Sequence, residues 1–134
     1  MSVAFDTNVL VYAVFRDSHG ELARRVAARD PAWVAPRLWR LELRNVLVTA
    51  MRARGLALQR ALAAFAGAEE LVVDAGVEPT TEESLEIAHR GRVSAYDAEL
   101  VFVAERLDLV LVTGDTRLAK AFPERVQTMA EYAG

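Results

Sequence analysis

The sequence predicts an α/β fold: a single-domain α/β/α sandwich on a mostly parallel sheet of four to five strands. Two observations carry this. Short apolar runs alternate with helical patterns along the whole chain. The helices between them reach ten residues or more, long enough to serve as crossovers, so the strands are expected to be parallel and covered on both faces. At 134 residues the chain fits one domain, 1–134, able to bury about two-thirds of its unfolded surface.

Each element has a local reason. Ser2 to Phe5 is a short apolar run ending at Asp6, and a helical pattern follows from Asn8 to Phe15. A second helix, from about Gly20 to Arg29, stops before Pro31, and Ala32 to Ala35 reads as the second strand. Pro36 suits the first turn of a long helix that Gly55 is placed to close. Leu56 to Ala66 is amphipathic, and Leu71 to Val73 is the third strand. Thr80 with Glu83 has the form of a capping box and opens a helix ending near Gly91. Ser94 with Asp97 repeats that form, with Asp for Glu, and opens a helix to about Leu107. Leu109 to Thr113 is the strongest strand signal, Asp115 starts a short helix, and Arg125 to Thr128 offers a fifth, edge strand.

Composition narrows the function classes. The chain is 53% hydrophobic and 26% charged, with no low-complexity run. It has no cysteine, so disulfides and thiolate metal sites are excluded. No apolar run approaches the roughly 20 residues that span a bilayer, and the N-terminus lacks the pattern of a signal peptide. A cytoplasmic protein is expected. The net charge of −3 gives no overall attraction to nucleic acid, yet fifteen of the sixteen basic residues are arginine, the better phosphate ligand. Ordinary surface charge accounts for those arginines equally well.

Four carboxylates stand in otherwise apolar segments: Asp6 in SVAFDTNVL, Glu42 in PRLWRLELRNVL, Asp97 in SAYDAELVFVAE and Asp115 in LVLVTGDTRL. Acids are rarely buried unless paired or on a metal. Asp6 and Asp115 follow strands, and so lie on the sheet edge where α/β folds bind ligands. Asp6, Asp97 and Asp115 also stand near helix N-termini, where capping alone accounts for each. Glu42 has no such reason; it shares a face with Leu38, Asn45, Val46 and Thr49 and wants a polar partner. Converging carboxylates repel, and divalent cations balance that charge. Oxygen ligands without His or Cys favour Mg²⁺ or Mn²⁺ over zinc, and two such ions can serve phosphodiester hydrolysis. Thr7, Asn8, Asn45, Ser94 and Thr113 are placed to orient the acids by hydrogen bonds. Asp74, near Gly76 and Pro79, reads as a turn residue and a weaker candidate. Glu99, two residues past Asp97, is expected to point away into solvent. His19 and His89 read as surface residues.

The DTNVL strand end, the Glu42–Asn45 helix, SAYDAELVFVAE and LVTGDTRL together resemble the PIN domain, and more narrowly the VapC-like toxins of toxin–antitoxin pairs. The resemblance runs from Asp6 to about Phe122 in the usual order and spacing. It implies a Mg²⁺- or Mn²⁺-dependent endoribonuclease whose metal ions are held by Asp6, Glu42, Asp97 and Asp115. It further implies an RNA substrate such as tRNA or rRNA, a cognate antitoxin, and a homodimer; Leu58, Leu62 and Phe65 offer apolar surface for the dimer and have an equally good use in the core. Arg16, Arg40 and Arg92 are candidates for binding RNA phosphates at the rim. Two phosphoryl-transfer folds fit less well. A haloacid-dehalogenase-like phosphatase wants an acid where Asn8 stands, and a response-regulator receiver wants paired acids after the first strand. A non-catalytic module of the same fold, binding RNA or protein, is the remaining alternative.

Overall fold

Side chains alternate across a strand, so a strand buried on both faces must be apolar at every position. β1 (Ser2–Phe5) obeys this: Val3 and Phe5 enter one core and Ala4 the other. β2 (Ala32–Ala35) sends Trp33 and Ala35 to the first core and Val34 to the second, while β4 (Leu111–Thr113) divides Val112 and Leu111 likewise. With β3 (Val72–Asp74) and β5 (Val126–Thr128) they form one sheet in the order β3-β2-β1-β4-β5, every neighbouring pair parallel. The computed structural model describes residues 2–14, 20–29 and 32–134.

Helices cover both faces. α1 (Thr7–Val14), α2 (Gly20–Arg29), α3 (Trp39–Arg54), α4 (Leu58–Leu71) and α8 (Met129–Ala133) pack on the Phe5 and Trp33 side. There the Phe5 and Trp33 rings meet at 4.8 Å, and Trp39 stacks on Phe65 at 5.8 Å. α5 (Thr81–Gly91), α6 (Ala95–Leu107) and α7 (Thr116–Ala121) close the Ala4 and Leu111 side. The result is the expected α/β/α sandwich, with five strands and an all-parallel sheet.

Boundaries moved where backbone hydrogen bonding overrode the pattern. α3 starts at Trp39 rather than Pro36, because Trp39 N–H closes a turn onto the Pro36 carbonyl at 3.1 Å. α4 runs through Gly67 to Leu71 and passes straight into β3, so the expected stop at Ala66 is absent. Leu109 is spent closing α6, its N–H bonded to the Ala104 carbonyl at 2.8 Å beyond a left-handed Asp108, which shortens β4. α8 was not anticipated; Thr128 caps it by accepting from Glu131 N–H at 3.2 Å.

β1 is central, paired with β2 on one side and β4 on the other. The chain builds outward through β2 and β3, then crosses back to β4. The order therefore reverses at the β1/β4 boundary, the place beyond the carboxyl ends of the strands where α/β folds bind ligands.

Candidate active site

The register Phe5↔Val112 brings Asp6 beside Thr113. Asp6 is buried, and both its oxygens are engaged: Oδ1 accepts from Val9 N–H at 3.0 Å, capping α1, and Oδ2 accepts from the Thr113 hydroxyl. Thr113 Oγ1 in turn accepts from Asp115 N–H at 3.0 Å. Asp115 caps α7 by accepting from Arg117 N–H at 2.9 Å. One buried threonine thus links the two aspartates that end the central strands.

Glu42 reaches the same edge from the first turn of α3, where its Oε2 accepts from the Thr7 hydroxyl at 3.2 Å. Thr7 is the polar partner that Glu42 called for. Asp97 arrives on the first turn of α6, held by its Ser94 cap, whose hydroxyl accepts from Asp97 N–H at 3.1 Å. Burial raises all three carboxyls of Asp6, Glu42 and Asp97 above their ordinary values. Hydrogen bonds offset part of this: from Thr113, Val9 and Gly114 at Asp6, from Thr7 at Glu42, and from Ser94 at Asp97. Mutual repulsion adds to it. Asp97 repels Asp6, Asp6 and Asp97 repel Glu42, and Asp115 repels Asp97, while Arg117 draws Asp97 down. The four sequence-nominated acids therefore form one electrostatically coupled set.

Of the flanking residues, Thr7, Ser94 and Thr113 make the contacts just given. Asn8 and Asn45 are exposed, and Asn45 uses its carbonyl to accept from Thr49. Arg40 lies against the Trp39 ring at 4.7 Å and binds Asp74 at 3.0 Å, so its guanidinium is already engaged. Asp74 also accepts from Trp39 Nε1 at 2.8 Å, and these bonds hold its carboxyl below the usual range. Arg92 is exposed in the left-handed conformation that closes α5, and His89 is exposed as expected. Arg16 and His19 lie outside the described residues. A cleft of about 300 Å³, lined by Arg37, Arg40, Asp74, Gly76 and Glu78, opens beyond β3, apart from the four acids.

Glu99 corrects the sequence reading. Its side chain is 13% exposed and accepts from Arg37 Nε at 3.1 Å, and it is among the charges that raise Glu42. Two residues past Asp97 would be solvent on a helix with one exposed face. α6, however, buries Ala98 and Val101 through Ala104 and leaves little of its circumference wet. Arg117 and the Gly114 N–H also escaped the sequence reading, although both flank Asp115 in LVTGDTRL.

The sequence profile of the PIN domain matches residues 3–122. The chain belongs to the PIN-domain family. PIN domains are generally metal-dependent nucleases, and membership supports reading this chain as a hydrolase acting on nucleic acids. The fold is similar to the crystal structure of PAE2754 from Pyrobaculum aerophilum, with a TM-score of 0.71 and 22% identity over 99% of this chain and 96% of that one. No curated protein sequence matches significantly. Among the described residues of this PIN domain, no helix is long and apolar enough to cross a membrane.

The donor set suits a divalent cation. Every nominated ligand is a carboxylate oxygen, and three of the four are raised by burial and repulsion that an added positive charge would relieve. Among the described residues, no three acidic or histidine side chains stand close enough to form a ready-made coordination sphere.

Proposed function

We propose that this PIN domain is the toxin of a type II toxin–antitoxin pair: a cytoplasmic Mg²⁺- or Mn²⁺-dependent endoribonuclease that hydrolyses RNA phosphodiester bonds. Its substrate is tRNA or rRNA, and its partners are a cognate antitoxin and a second copy of the chain. The observation that carries the reading is the coupled carboxylate set at the β1/β4 edge, with Asp6, Glu42 and Asp97 all raised by burial and mutual repulsion. A module that merely bound RNA would gain nothing from acids that repel both each other and a phosphate backbone.

Asp6 and Asp97 would hold the cation most directly, with Glu42 and Asp115 completing the set. When bound, a divalent cation supplies Lewis-acid polarisation of the scissile phosphate and charge stabilisation at the leaving oxygen. The chain's own residues fix the carboxylates: Thr113 orients Asp6 and the Asp115 backbone, Thr7 orients Glu42, and Ser94 orients Asp97. Arg40 and Arg92 would meet RNA phosphates at the rim, with Arg16 as a third candidate; Arg40 must first leave Asp74. The exposed stripes Leu41 and Val48 on α3 and Leu58 and Leu62 on α4 support the homodimer. Phe65 does not join them, because it stacks on Trp39.

A non-catalytic RNA- or protein-binding module is the second reading, favoured by the open arrangement of the acids. Purified protein mixed with total tRNA and rRNA, with Mg²⁺ or Mn²⁺ and with EDTA, separates the two. Discrete fragments that require the metal and vanish in Asp97→Asn support the nuclease. Full cleavage by Asp97→Asn would sink the metal role of that residue and leave it a helix cap.

A further inference from the structure

The corner that joins α3 to α4 carries charge of one sign. From residue 43 to residue 68 the chain has four arginines, Arg44, Arg52, Arg54 and Arg60, and no acid. The other twelve basic residues share the rest of the chain with all nineteen acids. All four arginines of the corner are exposed. Arg25, Arg37, Arg40, Arg90, Arg117 and Arg125 each meet a carboxylate, whereas among the described residues these four meet none. Arg44 lies over the Phe65 ring at 5.4 Å, a contact that leaves its charge in place.

Helix stability accounts for only part of the set. Arg52 and Arg54 stand in the last turn of α3, where cations complement the dipole. Gly55, left-handed at φ 66°, then turns the chain, and Arg60 stands in the first turn of α4, where a cation opposes the dipole. Arg60 is two residues from Leu58 and two from Leu62, so it lies on the far side of α4 from that apolar stripe. From Glu42 to Arg52 is ten residues, about 15 Å along the axis of α3.

We propose that the α3–α4 corner is a docking surface for the phosphate backbone of RNA, separate from the place where the strand is cut. The inference rests on the nucleic-acid reading of the PIN fold and adds to it where the substrate is gripped. A chain of net charge −3, with its nominated acids at the β1/β4 edge, repels a polyanion. RNA therefore needs free cations away from those acids, and guanidinium forks pair with phosphate oxygens two at a time. Such contacts set affinity and leave base sequence unread.

Fluorescence anisotropy of a labelled stem–loop RNA in EDTA, across a series of KCl concentrations, reads docking without cleavage. The triple variant Arg52→Gln, Arg54→Gln, Arg60→Gln should bind about tenfold or more weakly, with a salt slope shallower by about two to three, one phosphate contact per arginine. The triple Arg24→Gln, Arg106→Gln, Lys120→Gln removes the same charge from exposed positions elsewhere and should stay within about twofold of wild type. Equal weakening by both triples, or wild-type affinity in the corner triple, overturns the proposal while cleavage by the wild type in Mn²⁺ keeps the nuclease reading. A wild type that fails to bind in EDTA also overturns it, and one that leaves RNA uncut in Mn²⁺ as well overturns the nuclease reading with it. Preference for poly-glutamate over RNA at matched charge would mark the corner as a seat for an acidic protein segment and overturn the RNA assignment. Thermal unfolding checks each variant. Should the corner triple fail to fold, Arg60→Gln alone decides: a slope shallower by about 0.7–0.9 supports docking, and an unchanged slope overturns it.

Discussion

Thr113 is the side chain through which the ends of the two central strands communicate, donating to Asp6 and accepting from the Asp115 N–H. Thr113→Val keeps the shape and deletes both bonds. It should lower cation affinity and cleavage about 10- to 100-fold, the usual cost of removing a partner that orients a ligand; titration of Mn²⁺ beside a cleavage assay measures both. Asp6→Asn tests the opposite balance. It removes a buried charge whose protonation burial already favours, so the metal-free protein near neutral pH should melt at a higher temperature than wild type, read by thermal unfolding in EDTA, while cleavage is lost. At this scale the sequence was legible wherever an acid interrupted an apolar run. Glu99 was hidden because helical spacing tells which way a side chain points, not which neighbouring helix stands there.

Among the elements, α5 and α7 meet through a glycine. A methyl group on Gly91 would fall 2.2 Å from the Phe122 ring, which is itself buried and carries Arg90 over its face at 5.4 Å. Gly91→Ala should therefore cost about 1–3 kcal/mol by overpacking, read by urea unfolding, and Phe122→Leu in the same chain should recover part of it. The capping box at Thr80 and Glu83, visible in the sequence, closes in both directions at 3.1 Å and 2.9 Å. Its loss in Thr80→Ala should cost about 1 kcal/mol. Strands and long helices were legible because composition and capping agree there. The end of α4 and the whole of α8 were not, because the first ignores a glycine and the second is five residues held by tertiary packing of Met129 and Tyr132.

For the whole molecule, the raised carboxyls of Asp6, Glu42 and Asp97 mean that the folded chain binds more protons than the unfolded one above the ordinary carboxylate range of about 4. Stability without metal should therefore fall as pH rises from that range through the raised folded values. Asp74 and Glu83 are lowered and act oppositely, contributing stability above that range and losing it on acidification. Melting curves in EDTA between about pH 5 and pH 8 should show the decline, and saturating Mn²⁺ should reverse it by binding the folded state alone. A melting temperature that climbs across this interval in EDTA would contradict the coupling of the acids. The sandwich itself was readable from alternation alone, whereas the coupling needed the register of β1 on β4. That register also bears on ion selectivity. Hydrogen bonds to both oxygens of Asp6 and one of Asp115 leave each of those oxygens a lone pair in a fixed direction, so neither carboxylate is free to turn and wrap a large ion with both oxygens. Calcium, which prefers many ligands and bidentate carboxylates, should compete poorly with a small ion that keeps most of its own hydration shell.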